Sequence, residues 1–276
     1  MLTTFAATTI FSRSKNSNRA AARAVRILAA LLLLCGPVSN AFAQIPDTST
    51  RKEQQLTGPR VPDNRMLVAN SKMFPFSAVV KLIVTFPNGK TGEGTGALIG
   101  PDKVLTADHV VYNESFGGHA TEVEVLPGYS DDYQSCGRTY MASLKHGSHN
   151  GCHAGADCDV AIITTKDRMG CDTGWFGFKE FDHGAIGDVF IAGYPGDLNG
   201  GERMYFVRTQ ASHAHGHRFH NTLMYTEWTY EGMSGGPIFT SDYNIVGIHT
   251  EGGSHANYGI AFCNQLIGTL RGWLNQ

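Results

Sequence analysis

Residues 232–237 read Gly-Met-Ser-Gly-Gly-Pro, a serine held between glycines on a tight turn. Such a turn points backbone N–H groups at one spot, where they can stabilise the oxyanion that forms when the serine attacks a carbonyl. The same string fits G-x-S-x-G, which carries the nucleophile of α/β-hydrolases between a strand and a helix. We therefore interpret Ser234 as a nucleophile. The rest of the sequence must show whether it lies in an α/β-hydrolase or in another fold.

The order of residues along the chain separates these folds. An α/β-hydrolase places its acid and its histidine after the serine, but only 42 residues follow Ser234. It also alternates strands with long helices, a pattern that this sequence lacks. His109 and Asp159 instead precede Ser234, in the order His, Asp, Ser that another kind of triad uses.

The body of the chain, from about Phe74, reads as short apolar runs separated by Gly, Asn, Asp and Pro. The runs lie at 78–84, 96–100, 160–163, 189–192 and 245–248. Such spacing predicts the strands of a β-sandwich or β-barrel. The 33 glycines, about 12% against an average near 7%, agree with many turns. One helix is predicted at the end of the chain, where Leu266, Leu270 and Leu274 recur at helical spacing.

The charge of the chain argues against two classes of partner. The formal net charge is −2, but residues 1–43 carry five basic residues and no acidic one. The remainder holds 17 basic and 24 acidic residues, a net charge of −7. An acidic body is a poor match for nucleic acid or for an anionic membrane surface, so we expect neither partner.

Residues 1–43 have the parts of a secretory signal peptide. Basic residues precede a short apolar run at 27–35, and Ala-Phe-Ala at 41–43 supplies a cleavage site. The run is too short to span a membrane as a helix. We therefore predict a secreted protein, extracellular or periplasmic, that keeps no membrane contact after signal removal. A lipoprotein anchor at Cys35 is the alternative, although Leu34 stands where a small residue is expected.

Five cysteines remain after residue 43, and in an oxidising compartment they form at most two disulfides. Four lie close in sequence and are expected to pair among themselves, in any of three connectivities: Cys136, Cys152, Cys158 and Cys171. Cys263 is then left as a thiol.

Two histidine-rich stretches raise the question of a metal ion. In the first, alternation could put three imidazoles on one strand face: His213, His215 and His217. No Cys or carboxylate has matching spacing there. The second set also looks like metal ligands: His146, His149, Cys152, His153 and Cys158. Because exported cysteines more often pair with each other, we predict no metal. Without a phosphate-binding loop or dinucleotide fingerprint, we also expect no cofactor.

Three strings together resemble a known family, the chymotrypsin-fold serine proteases. The family's histidine lies in T-A-x-H, its aspartate in D-[IV]-A-[IL] and its serine in G-x-S-G-G-P. Here those strings hold His109, Asp159 and Ser234, in the family's order. By this resemblance Ser234 is the nucleophile, His109 is the general base and then acid, and Asp159 orients the imidazole. The N–H groups of Gly232 and Ser234 form the oxyanion hole.

The resemblance also implies the fold. We expect an all-β protein with two six-stranded antiparallel Greek-key barrels and a short C-terminal helix. The protease domain is predicted at 61–276, with barrels at about 61–170 and 171–262 and the helix at about 263–275.

Further segments are similar to the bacterial glutamyl endopeptidases of this fold, and they lie at 64–65, 74–76, 174–177 and 193–197. In that branch a histidine and a threonine or serine bind the substrate glutamate in the S1 pocket. Thr229 and His249 fall on those positions. A buried carboxylate needs such donors, because its desolvation otherwise dominates. Glu251, shortly after His249, would repel an acidic side chain if it pointed inward.

The polar, aperiodic residues 44–60 predict a propeptide. In trypsin-type zymogens a new N-terminal amine pairs with an aspartate just before the serine, but Met233 stands there in this chain. In some glutamyl endopeptidases the freed amine instead reaches the S1 pocket and binds the glutamate carboxylate. Cleavage after Arg60 leaves Val61 in that role; alternatively, Arg60 is a solvated tail residue and the mature start is ragged.

The sequence thus predicts a secreted, monomeric serine endopeptidase that forms an acyl-enzyme. It should cut proteins or peptides after Glu, and less well after Asp. Two alternatives remain: a serine protease with another P1 preference, and a protease-fold binding protein without activity.

Overall fold

The computed structural model describes residues 62–131, 136–147, 159–182, 187–214, 221–253 and 255–275. The predicted signal peptide, the predicted propeptide and Val61 lie outside these residues. The strands are β1 (Met66–Leu67), β2 (Val79–Thr85), β3 (Thr91–Gly100), β4 (Lys103–Thr106), β5 (Tyr112–Asn113), β6 (Gly118–His119), β7 (Glu122–Pro127), β8 (Thr139–His146), β9 (Ala161–Thr165), β10 (Gly177–Phe178), β11 (Gly187–Gly193), β12 (Tyr205–His213), β13 (Thr222–Tyr225), β14 (Pro237–Phe239), β15 (Asn244–Glu251) and β16 (Asn257–Ala261). The α-helices are α1 (Asp108–Val111), α2 (Gly170–Thr173) and α3 (Asn264–Leu274), and 3₁₀ turns lie at Phe76–Ala78, Glu114–Phe116 and Asn199–Gly201.

The first barrel is a closed antiparallel sheet in the order β2-β3-β4-β9-β8-β7. The apolar runs at 78–84, 96–100 and 160–163 supply β2, β3 and β9. Branched side chains such as Val80 and Ile163 are fully buried in it, where they pack well on a pleated surface.

The second barrel follows the order β12-β11-β14-β15-β16-β13. It closes because β13 pairs back onto β12, with Ser212 opposite Met224. The runs at 189–192 and 245–248 form the centres of β11 and β15. The predicted all-β fold of two six-stranded antiparallel barrels is confirmed.

Both ends of the described chain pack on these barrels. β1 joins the sheet of the second barrel, with Met66 opposite Phe206, although it precedes the first barrel in sequence. The predicted C-terminal helix is confirmed as α3, which buries Leu266, Ile267 and Leu270 on one face. Among the described residues, we find no helix with the length and apolar character that a membrane crossing requires.

Strand pairing sets the positions of the predicted triad. Thr106 at the end of β4 lies opposite Ala161 at the start of β9. His109 in α1 follows β4, and Asp159 precedes β9. Because these two strands pair, both residues lie at the same end of the first barrel. Ser234 lies in the turn that leads into β14 of the second barrel.

Candidate active site

The turn that carries Ser234 depends on its two flanking glycines. Gly232 and Gly235 have φ values of 93° and 81°, in the left-handed region that side chains disfavour. A Cβ at Gly232 would lie less than 3.0 Å from the Tyr194 carbonyl oxygen. A Cβ at Gly235 would come as close to the hydroxyl of Thr106. Glycine at both positions therefore allows the turn that carries Ser234 to pack closely against Tyr194 and Thr106.

Thr95 of β3 connects this turn to the first barrel. Its N–H donates to the carbonyl oxygen of Ser234 (2.9 Å), and its hydroxyl donates to the carbonyl oxygen of Gly232 (2.6 Å). The Thr106 hydroxyl donates in turn to the carbonyl oxygen of Thr95 (2.8 Å). Because Thr106 lies three residues before His109, this chain of bonds joins the serine turn to the segment that carries the predicted base.

Hydrogen bonds to the preceding carbonyls set the directions of two N–H groups in the turn, those of Gly232 and Ser234. The carbonyl of Glu231 accepts from Gly196 N–H (2.8 Å), and the carbonyl of Met233 accepts from Gly236 N–H (2.9 Å). In a planar trans peptide the N–H points opposite to the carbonyl, so these bonds fix the directions of the Gly232 and Ser234 N–H groups. Among the described residues, neither N–H donates to a protein acceptor. Both are therefore available to a substrate.

Asp159 holds His109 by two hydrogen bonds. The imidazole Nδ1 lies 2.6 Å from Asp159 Oδ2, and the backbone N–H of His109 donates to Asp159 Oδ1 (2.8 Å). A proton on Nδ1 shared with the carboxylate leaves Nε2 as the basic nitrogen. The side chain of His109 is 43% exposed, so a substrate can reach it.

The electrostatics of this pair suit proton transfer. Burial disfavours the charged imidazole, but the hydrogen bond and charge of Asp159 outweigh it and raise the pKa of His109 above 6.5. Asp108 and Glu251 add smaller effects of the same sign. Burial likewise disfavours the Asp159 carboxylate, but its bonds to His109 lower the pKa of Asp159 below 3.8. The aspartate stays charged while the histidine exchanges protons.

His249, the predicted pocket histidine, is buried on β15, with 2% of its surface exposed. Its Nδ1 lies 2.5 Å from the hydroxyl of Tyr225. Burial, together with the nearby charge of His109, lowers the pKa of His249 to about 4, although a bond to the Tyr258 backbone opposes the shift. His249 is therefore neutral at ordinary pH, and it is close enough to His109 for the two to interact.

Thr229, the second predicted pocket residue, offers an unused donor. Its Oγ1 is buried and makes no hydrogen bond within the described part of the chain. The backbone of Gly252 lies beside it, since a Cβ there would be 3.9 Å from Thr229 Oγ1. A buried hydroxyl without a partner costs stability, and a substrate group that accepts from it relieves that cost.

Glu251 follows His249 on β15, but a β-bulge intervenes. The register with β16 shifts between His249, opposite Gly259, and Glu251, opposite Tyr258. A bulge breaks the alternation that would put residues two apart on one face. The half-buried Glu251 therefore need not share the face of His249, although its charge reaches His109.

An arginine anchors the N-terminal end of the described chain near this region. The side chain of Arg65 is 1% exposed and forms a bidentate pair with Asp197, at 2.7 and 2.6 Å. It also binds Asp63. Asp197 follows Gly196, whose N–H holds the Glu231 carbonyl next to the oxyanion turn. Val61, four residues before Arg65, lies outside the described residues.

The remaining predicted residues are cysteines and histidines, and several of them lie outside the described ranges. Cys136 and Cys263 carry free thiols, so the pairing predicted for Cys136 is not formed, whereas Cys263 is unpaired as expected. Cys152, Cys158 and the side chain of Cys171 lie outside the described residues. Of the two histidine-rich sets, only His213 and His146 are described; those outside are His149, His153, His215 and His217.

Three residues of the site were missed by the sequence analysis: Tyr225, Thr95 and Thr106. Tyr225 reaches His249 because β13 and β15 both pair with β16. Thr95 sits in a Gly-rich strand that predicts only a turn or a close approach of backbones. A local pattern identifies none of these contacts, since each depends on how strands pair or how the barrels dock.

Comparisons with known proteins agree with this fold. The family profile of the trypsin-like peptidase domain matches residues 94–248. The chain is 30% identical over 228 residues to a glutamyl endopeptidase of Bacillus licheniformis, covering 77% of this chain and 68% of that protein. It is 28% identical over 223 residues to an extracellular metalloprotease of Bacillus subtilis, covering 78% and 69%.

Solved structures give the same result. A Glu endopeptidase crystallised with MPD superposes with a TM-score of 0.69 at 25% identity, covering 79% of this chain and 99% of that one. The protease Anisep from Arthrobacter nicotinovorans superposes with a TM-score of 0.62 at 20% identity, covering 74% and 96%.

Proposed function

Because the chain belongs to the trypsin-like peptidase family and is a serine endopeptidase, we propose that it cuts proteins after glutamate with Ser234, His109 and Asp159. The observation that supports the proposal is the state of the two residues predicted to line the pocket. His249 is buried and neutral, and the Thr229 hydroxyl is buried without a hydrogen-bond partner in the described part of the chain, so both suit a buried carboxylate. In this proposal the Gly232 and Ser234 N–H groups stabilise the oxyanion.

The reaction proceeds in two proton-balanced steps. The Ser234 hydroxyl attacks the scissile carbonyl while His109 Nε2 takes its proton, and the resulting oxyanion accepts from Gly232 and Ser234 N–H. The imidazolium then gives that proton to the departing amine, which leaves an acyl-enzyme. Water repeats the sequence and releases the acid. Asp159 stabilises the imidazolium in both steps without itself taking the proton.

Recognition of glutamate depends on the proton of His249. In this proposal the Tyr225 hydroxyl donates to His249 Nδ1 at 2.5 Å rather than to the Tyr258 carbonyl oxygen at 3.3 Å, so the neutral imidazole carries its proton on Nε2. From Nε2 it donates to the substrate carboxylate, and Thr229 donates beside it. A site with such buried donors rejects an uncharged side chain strongly, because the donors then lose water without gaining an acceptor.

The N-terminal amine of a chain that starts at Val61 supplies the positive charge in this proposal. Arg65 is fixed against Asp197, and four extended residues span at most about 14 Å. The proposal therefore requires the amine to act within that distance of Arg65. An α-amine has a reference pKa of about 7.7–8.0, so it is mostly charged at neutral pH.

Export completes the proposal. Residues 1–43 act as the signal peptide, and the mature protein works outside the cytoplasm as a monomer without nucleic-acid or membrane partners. The relative from Bacillus subtilis, whose name includes the word extracellular, supports this location.

Two measurements test the proposal against its alternatives. A fluorophosphonate probe should label the mature protein, and Ser234→Ala should abolish the adduct; an unlabelled parent protein would favour a binding protein. Cleavage-site profiling on a denatured protein mixture should then show Glu at P1, with Asp as a minor site. A profile dominated by any other residue would refute the glutamate pocket and leave the triad intact.

The role of Val61 needs its own comparison. Enzyme that starts at Val61 should have a higher kcat/KM on Glu substrates than enzyme that carries one extra N-terminal residue or an acetylated Val61. An apolar P1 substrate is the control, since the amine should not affect it. Equal kcat/KM values on Glu substrates would show that the amine does not take part in binding the glutamate side chain.

A further inference from the structure

A second cluster of polar side chains lies where β8 of the first barrel meets α1 and the separate β5–β6 hairpin, and one of its members, Asp108, directly precedes His109. One ligand atom from each of Asp108, His119 and His146 lies within 4.8 Å of the other two. The rings of His119 and His146 are 3.9 Å apart between centroids. His146 Nδ1 is 3.8 Å from Asp108 Oδ1. Two imidazoles and a carboxylate therefore converge on one point.

Three separate elements bring these residues together. Asp108 is the first residue of α1, His119 ends β6, and His146 ends β8. β8 pairs with β9, so that His146 lies opposite Ala161, two residues after Asp159. The ring of His119 packs on Tyr112 at 4.6 Å between centroids. The fold brings these residues together, since no two of the three are neighbours in sequence.

We propose that these three residues form a binding site for a zinc-class divalent cation. Imidazole nitrogen and carboxylate oxygen are ligands that Zn²⁺ and Co²⁺ accept, whereas Ca²⁺ and Mg²⁺ require mostly oxygen. Three protein ligands leave further positions for water. The site goes beyond the proteolytic activity and does not rest on it.

The spacing suits a shared ion better than a direct bond. A separation of 3.8 Å between His146 Nδ1 and Asp108 Oδ1 is too long for a hydrogen bond. Ligands on one zinc ion, at about 2.0–2.2 Å each, lie less than about 4.4 Å apart. Small rotations of the side chains therefore bring all three groups onto one ion.

The surroundings fix the ligands and leave a way in. Asp108 is 1% exposed, so its carboxylate is desolvated and gains much from a cation. His146 Nδ1, the atom that faces Asp108, also lies 3.1 Å from the Gly147 carbonyl oxygen; to bind the ion it gives up that contact, and Nε2 then carries the ring proton. The His146 side chain is 29% exposed, which gives the ion access from solvent.

An ion at this point ties α1, β6 and β8 together. A ligand that binds the native state and not the unfolded state raises stability with its concentration. We therefore expect Zn²⁺ to raise the melting temperature of the mature protein after treatment with a chelator. Co²⁺ at the same site should give visible d–d absorption, which reports the ligand set independently of proteolysis.

The test uses the mature Ser234→Ala protein, which cannot digest itself, with Co²⁺ and Zn²⁺ as probes. We expect saturable binding of one Co²⁺, displaced by Zn²⁺. His119→Gln and His146→Gln should each weaken it at least tenfold, because even outer-shell changes cost about 10–100-fold at metal sites. His255→Gln, which removes an exposed histidine elsewhere, should bind like the parent.

Each outcome decides the proposal. Parent-like Co²⁺ spectra and affinity in both histidine variants would place the ion elsewhere, for example on His109, and overturn the assignment. A parent protein without saturable binding at millimolar Co²⁺ would overturn it as well. Asp108→Asn is a third variant; if it fails to fold by circular dichroism, the two histidine variants still decide.

Discussion

Two histidines on opposite barrels show how one side chain serves two purposes. His109 lies 2.6 Å from a carboxylate and His249 lies 2.5 Å from a phenol hydroxyl, so the distances are nearly the same. The pKa of His109 is raised, whereas the pKa of His249 falls to about 4. The charge of the partner and the depth of burial give the two imidazoles opposite pKa shifts, which suit the proposed roles of base and neutral donor.

The two sites also act on each other. Positive charge on His109 helps to lower the pKa of His249. When His109 takes the proton of Ser234, the pocket histidine is therefore held neutral more firmly. In the proposed mechanism His109 changes its charge during the reaction, whereas His249 stays neutral.

The largest effect should come from removing the nucleophile. Ser234→Ala should lower kcat on the order of 10⁶-fold, and His109→Ala should do about the same, because the residues act as a unit. Both substrate classes, Glu and apolar at P1, should lose activity equally in steady-state assays. Ser234→Ala enzyme that keeps more than about a tenth of the activity would contradict the assignment.

Asp159→Asn gives His109 a neutral partner, as His249 already has. We expect kcat to fall by about 10⁴-fold, because the imidazole takes the wrong tautomer. The acid limb of the pH–rate profile should also move to lower pH, since the carboxylate no longer raises the pKa of His109. A lower kcat with an unmoved acid limb would show that Asp159 acts through structure alone.

His249→Ala tests the pocket half. It should lower kcat/KM on Glu substrates by roughly 2–4 kcal/mol, the penalty for a buried carboxylate without its partner. Apolar P1 substrates should lose far less. Tyr225→Phe is the milder variant, since it removes only the hydroxyl that orients the ring. Equal losses on both substrates would assign His249 to structure rather than recognition.

The two histidines should also affect stability in opposite directions. The pKa of His249 is about 4 in the folded protein, so the unfolded chain binds that proton first. His249 therefore contributes up to about 3 kcal/mol to the free energy of unfolding above pH 6.5, and this contribution is lost as the pH falls towards 4. His109, with its raised pKa, instead stabilises the protein below pH 6.5 and loses that contribution as the pH rises through the raised value.

Urea unfolding of Ser234→Ala protein between pH 8 and pH 4 measures this difference. His249→Gln should flatten the stability profile between pH 6.5 and pH 4, and His109→Gln should remove the gain in stability that occurs as the pH falls from 8 to 6.5. Unchanged acid slopes in His249→Gln would show that other groups set the acid sensitivity.

The smallest effect concerns the anchor of the N-terminus. Arg65→Gln should lower kcat/KM on Glu substrates by about 1 kcal/mol, because Asp63 and Asp197, the carboxylate partners of the buried guanidinium, are partly exposed and solvent weakens the pairs. It should leave apolar P1 substrates unchanged, because it acts on the position of the Val61 amine. The control is Lys179→Gln, which breaks an exposed pair with Asp242 far along the chain. Equal losses on both substrates would make Arg65 a stabilising residue only.

Local patterns predicted much of this molecule, and distant pairings account for the rest. The barrel strands and α3 follow from short apolar runs and helical spacing, and the serine turn follows from its glycines. The partner of His249 lies 24 residues away, that of Arg65 lies 132 away, and that of Thr95 lies 137 away. Such contacts depend on strand register and barrel docking, which no window of sequence contains.

The bonds from Thr95 to the serine turn have a consequence for how the protein is made. A chain in which one barrel has formed and the other has not cannot hold the carbonyls of Gly232 and Ser234. We expect such an intermediate to be proteolytically silent, because its oxyanion donors lack their orientation. The producing cell is then spared digestion by half-folded copies, and activity begins only when the two halves have met.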